Sequence, residues 1–183
     1  MNGSPRPLAV LLVASLAVAL QAGCTAAQQA VPTIGWDERF VDLPRADVLL
    51  GGPGDGDAVL TVAAVVADTP EARTRGLQGV MDVPAGTGML FVFPGRASVP
   101  EDRSGFWMLD TAVPLDIAFA ADGIVVGVAT MLPCAAAPCP ITHPAVPYDV
   151  ALEVAAGVLG EAGVGTGDRF TWRVTAEPVG GAG

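Results

Sequence analysis

Asp122-Gly123 constrains this chain more than any other pair of residues. It stands between the apolar runs Ile117-Ala118-Phe119-Ala120-Ala121 and Ile124-Val125-Val126-Gly127-Val128, and Asp-Gly in that setting favours a two-residue hairpin turn. Such a loop sets the register. Phe119 is then expected opposite Val126 and Ile117 opposite Val128, which makes one large apolar face. The other face sets Ala118 and Ala120 against Gly127 and Val125, with Asp116 opposite Ala129. On that geometry Asp116 closes a floor of small residues where a groove has room to form.

Other elements follow from pattern and punctuation. Residues 59–67 are a β-branched apolar run and read as a central strand. Asp68-Thr69-Pro70-Glu71 then reads as a helix start, with Thr69 as N-cap, Pro70 at the first helical position and Glu71 near the positive end of the dipole. That helix should stop at Gly76 or Gly79. Residues 88–93 and 149–155 read as further strands. In the last one, Phe170, Trp172 and Val174 alternate with Arg169, Thr171 and Arg173, a half-buried pattern. Residues 36–50 read as a first strand or a packed arm. The expected fold is mainly β, or β-rich α+β: a compact antiparallel sheet or partly closed barrel with one or two short helices.

The N-terminus has the form of an export signal. Arg6 is followed by an apolar run over residues 8–20, shorter than the roughly 20 residues a membrane span needs. Gln21-Ala22-Gly23-Cys24 resembles a bacterial lipobox, with Gln21 where leucine is usual, and points to lipidation of Cys24. The expected organisation is a signal peptide over 1–23, a tether and N-terminal arm over 24–57, a β-rich domain over 58–176 and a disordered tail over 177–183. The expected location is extracytoplasmic, held to a bacterial membrane by the lipid, with a secreted soluble form as the alternative. The formal net charge is −10 with no lysine, and loss of Arg6 makes it −11. A surface this acidic repels phosphates, which excludes nucleic acid as an expected partner.

With Cys24 given to the lipid, Cys134 and Cys139 remain as an even pair. In an oxidising compartment they are expected to form a disulfide, whose short loop is worth roughly 2 kcal/mol. Zinc is the rival reading: His143 would add a third ligand, but no fourth is in view. Asp55 and Asp57 sit in a glycine-rich loop without the remaining oxygen ligands of an EF-hand. No phosphate loop or dinucleotide glycine motif occurs, and no cofactor is expected.

The segment Phe106-Trp107-Met108-Leu109-Asp110-Thr111-Ala112-Val113-Pro114-Leu115-Asp116-Ile117 concentrates the remaining chemistry. Taken with Arg75-Gly76-Leu77, Gly88-Met89-Leu90-Phe91-Val92-Phe93 and Cys134…Pro138-Cys139-Pro140, it resembles the domain of unknown function family 192 over about residues 59–175. The resemblance carries no assigned activity. The family pattern usually has Lys-Asn-Thr after the Met, where this chain has Leu109-Asp110-Thr111.

Arg75, Trp107, Asp110, Thr111 and Asp116 are the candidate ligand-binding residues, expected to converge through a bend at Pro114. Trp107 also reads simply as core, and Arg75 as half of a structural Arg-Asp pair. The functional expectation is a binding or accessory module for a small ligand or an envelope partner, the ligand polar and uncharged or zwitterionic. The alternatives are a hydrolase using Asp110 and Asp116 as an acid/base pair and a purely structural envelope protein. One His and one Tyr make a sparse catalytic inventory and favour the first.

Overall fold

The computed structural model describes residues 36–52, 57–97 and 105–178. The signal segment, Cys24, Asp55 and residues 179–183 lie outside the described residues. Seven strands are present: β1 (Arg45–Gly51), β2 (Ala58–Ala67), β3 (Thr87–Ala97), β4 (Leu115–Ala121), β5 (Ile124–Met131), β6 (Tyr148–Ala155) and β7 (Arg169–Ala176). The helices are short: α1 (Trp36–Arg39) precedes the sheet, and α2 (Pro70–Arg75) and α3 (Val158–Glu161) interrupt it.

The strand order is β1-β2-β3-β6-β4-β5-β7, and β7 returns to β1. Six neighbouring pairs are antiparallel, whereas β2 and β3 run parallel. A parallel pair needs a crossover, and α2 with the loop behind it provides one. The seam between β5 and β7 rests on one residue pair, Ile124 with Arg169, so the barrel is only partly closed. That open seam corrects the expectation for β7. Phe170 is buried, but Trp172 and Val174, on the same alternation, are 37% and 46% exposed. The barrel also begins earlier than residue 58. Ala46, Val48 and Leu50 point one way along β1 and are buried, and β1 is hydrogen-bonded on both sides.

Two apolar layers hold the molecule together. The barrel interior takes alternate residues from every strand, among them Val48, Val62, Leu90, Ala118, Val125, Leu152 and Phe170, with Leu159 of α3 packed into the same cluster. The second layer lies on the outer face of β2, β3, β6, β4 and β5. There Phe91, Phe119, Ile117 and Tyr148 pack under Leu77, Val80, Phe106 and Met108 from the connecting segments. Full burial of one such side chain contributes roughly 1.5–3 kcal/mol.

The hairpin turn forms as its sequence requires: Asp122 and Gly123 both take positive φ, 51° and 77°, with Ala121 facing Ile124. The register beyond it differs from expectation. A bulge between Phe119 and Ala120 leaves Phe119 opposite Gly127, Ile117 opposite Ala129 and Asp116 opposite Thr130. Pro144 lies against Gly127, and a Cβ at that glycine would meet the proline ring 3.0 Å away.

Candidate functional site

The helix start builds one wall of a cleft on the outer layer. Thr69 Oγ1 accepts a hydrogen bond from the Ala72 amide at 3.1 Å, Pro70 opens the helix and Gly76 closes it. α2 is thereby held to six residues, which places Arg73 and Arg75 at its end. Arg73 Nη1 donates to the carbonyls of Asp68 (2.6 Å) and Val92 (2.8 Å), and its guanidinium lies over the Phe93 ring. Arg75 donates to both carboxylate oxygens of Asp42, at 3.0 and 3.3 Å, and stacks over Phe40. The hydrogen bond from Arg75 holds the Asp42 carboxyl below its usual range. Arg75 Nε is buried with no hydrogen-bond partner among the described residues.

Residues 105–111 make the opposite wall. Phe106 exchanges both backbone hydrogen bonds with Thr142, at 2.7 and 2.8 Å. The Asp110 amide donates to the Cys134 carbonyl at 3.1 Å, and the Gly79 amide donates to the Asp110 carbonyl at 2.7 Å. Cys134 is bonded to Cys139, so the disulfide braces this wall from outside. Trp107 points outwards, 49% exposed, while Met108 is buried core. Asp110 takes φ 57°, a left-handed conformation that Asp and Asn tolerate better than most residues. The position where the family carries Asn is thus one that backbone geometry selects, and the Asp110 side chain is exposed.

Between the walls lies a cleft of about 510 Å³. Arg75, Trp107 and Thr111 line it together, with Arg73, Phe91, Phe93, Phe106, Tyr148 and Glu153. Asp110 and Asp116 do not line it. Asp116 shares the interior-facing side of β4 with Ala118 and Ala120, opposite the side on which Ile117 faces the outer layer. Its carboxylate accepts from Thr130 Oγ1 at 2.7 Å and from the amides of Gly157 and Leu159 at 2.8 and 3.2 Å. It fastens the start of α3 to the barrel end. The expected convergence of five residues therefore reduces to three, and Asp110 and Asp116 do not form a pair.

Glu153 is the residue that sequence reasoning missed. It is 4% exposed and makes no hydrogen bond or ion pair with a described residue. Burial pushes its carboxyl up to about 8. Burial likewise pushes the Tyr148 hydroxyl up to about 12. A carboxyl in this state is largely protonated at neutral pH, so it can both donate and accept. The signal was present in β6: a lone acid inside Val150-Ala151-Leu152-Glu153-Val154, where both neighbours are buried interior residues. Gly88 permits the close fit beside it, since a Cβ there would run into the Glu153 carbonyl and the Val62 and Val154 side chains.

Among the described residues, the cleft lining contains no His, Cys, Ser or Asp, and no group of three or more His, Cys, Asp or Glu is placed to hold a metal ion.

This barrel and its cleft signature belong to a recognisable family. Residues 54–172 match domain of unknown function family 192 (DUF192), described as an uncharacterized ACR, and the chain belongs to it. It is similar to a Sinorhizobium meliloti 1021 protein described as a "putative transcription regulator", at 26% identity and a TM-score of 0.61. That match covers 71% of this chain and 95% of the other. It is also similar to a protein of unknown function from Novosphingobium aromaticivorans DSM 12444, at 26% identity and a TM-score of 0.57, over 69% and 84% of the two chains. No curated protein matches.

Proposed function

We propose that the protein is an exported, lipid-tethered binding or accessory module whose ligand is a small molecule held between α2 and residues 105–111. One observation carries this reading: a cleft of about 510 Å³, walled by aromatic rings, with a buried acid that has no partner among the described residues. Small-ligand sites have this size and this mixture of apolar walls with a few polar groups. Arg75, Trp107 and Thr111 are proposed as ligand-contacting residues. The export signal and the sequence around Cys24 support the tether and the extracytoplasmic location.

A hydrolase built on Asp110 and Asp116 gains no support, because Asp116 is committed to three hydrogen bonds on the other side of β4. A net charge of −10 opposes a nucleic-acid partner.

Native mass spectrometry of protein isolated from membranes tests the reading. The expected result is a bound small molecule that is lost in Trp107→Ala combined with Thr111→Val. A ligand-free mass, together with no binding at the cleft in a fragment screen, would leave a purely structural role. In the same preparation Cys24→Ala should release the protein from the membrane fraction. Retention there would defeat the lipid tether.

A further inference from the structure

We infer that the cleft receives a small organic ammonium ion, with the cation seated against Glu153 and the carbon body against the aromatic wall. This rests on the binding role proposed above and names the class of ligand. Glu153 stands mid-strand in β6, in register with Met89 of β3 on one side and Ile117 of β4 on the other. Both neighbours are completely buried. Among the described residues the carboxyl has no hydrogen-bond donor or ion-pair partner, so a group entering the cleft can supply one. An ionised carboxylate so placed is costly when alone. The same low-dielectric surroundings strengthen its attraction for a positive ligand.

The walls suit the same guest. Phe91, Phe93, Phe106, Trp107 and Tyr148 line the cleft, and ring faces attract ammonium groups. The rings are held by one another: Phe91 meets Phe106 edge-on at 4.8 Å, and Phe93 meets Tyr148 edge-on at 5.3 Å. Such a wall is formed before any ligand arrives.

Two arginines line the cleft as well, which raises the rival of an anionic ligand. Arg75 is already neutralised by Asp42. Arg73 is anchored at Val92, three residues along β3 from the neighbour of Glu153, or about 10 Å at strand rise. An anion seated at Arg73 would leave Glu153 unmatched, and an anion seated at Glu153 would be repelled once that carboxyl ionises.

Three probes of one shape decide the matter: benzylamine, benzyl alcohol and benzoate, titrated into the purified protein while the amides of Gly76, Gly105 and Thr111 are followed by NMR. Benzylamine is expected to bind about tenfold tighter than benzyl alcohol, with benzoate weakest, and Glu153→Gln should bring amine and alcohol to within about twofold. Equal binding of amine and alcohol to the native protein, or a preference that survives Glu153→Gln, overturns the ammonium assignment and leaves the cleft a binding site. No shift from any probe overturns the binding role and the assignment together. Glu153→Asp keeps the charge and should keep a preference for the amine. A melting curve for each variant confirms that the fold is intact.

Discussion

Two buried acids on neighbouring strands, Asp116 of β4 and Glu153 of β6, have opposite fates. Each is less than 5% exposed. Asp116 faces the barrel interior and is met by a hydroxyl and two backbone amides. Glu153 faces the outer layer and is met by no described residue. A carboxylate that accepts three hydrogen bonds recovers most of what desolvation costs; one that accepts none does not. The first arrangement is what a structural joint requires. The second is tolerated where a protein keeps an unfilled bonding position, so burial alone does not mark a functional acid.

The largest test of this contrast is Asp116→Ala. It strands two amides and a hydroxyl at the start of α3 and should cost about 4 kcal/mol in urea unfolding. A loss below about 1 kcal/mol would show that Asp116 is not the joint described.

Glu153→Gln should act in the other direction, and with pH. The carboxyl ionises at about 8 in the folded protein against an ordinary 4.5, so between those values the folded state holds the extra proton. Stability therefore falls as pH rises from 4.5 to 8, then levels off. The variant should match the native protein below pH 4.5 and exceed it by up to about 5 kcal/mol at pH 8.5. Parallel stability curves for the two proteins would remove the contrast.

Cys134→Ala with Cys139→Ala should cost about 2 kcal/mol, the value of a short closed loop. It should also separate the two regions. Hydrogen exchange at the Asp110 and Gly79 amides should quicken, while the Gly157 and Leu159 amides keep their protection. The smallest effect is expected from Arg75→Ala. It breaks a half-exposed pair with Asp42 and should cost about 0.5 kcal/mol, less in high salt. A cost near 3 kcal/mol would mean that this pair is what holds the α2 wall in place.

What the sequence reveals follows the range of the interactions. Thr69, Pro70 and Gly76 set the bounds of α2 through contacts within one turn, and Asp122-Gly123 specifies its own turn. The family signature located the cleft wall, and alternation separated Trp107 from Met108. The β5 register was not legible, because nothing in the apolar run marks the bulge between Phe119 and Ala120. Nor was the role of Asp116, since its amide partners lie 41 and 43 residues downstream. Glu153 was readable in principle as a charge inside an apolar strand, but period two does not say which face of a covered sheet holds a cavity. Arg75 lines the cleft, while its partner Asp42 lies 33 residues away in a segment with no pattern of its own.

The adjacency of β1 and β7 bears on how the chain is made. Arg173 and Asp47, paired across that boundary, are 126 residues apart. The first strand to leave the ribosome therefore waits for nearly the last before its outer edge is covered. Closing a loop of that length makes assembly slow compared with a helical domain of equal size. A chain cut before Arg169 would expose β1 as a bare edge, open to pairing with other chains. Completion of the barrel thus waits for β7, whatever the order in which the other strands pair.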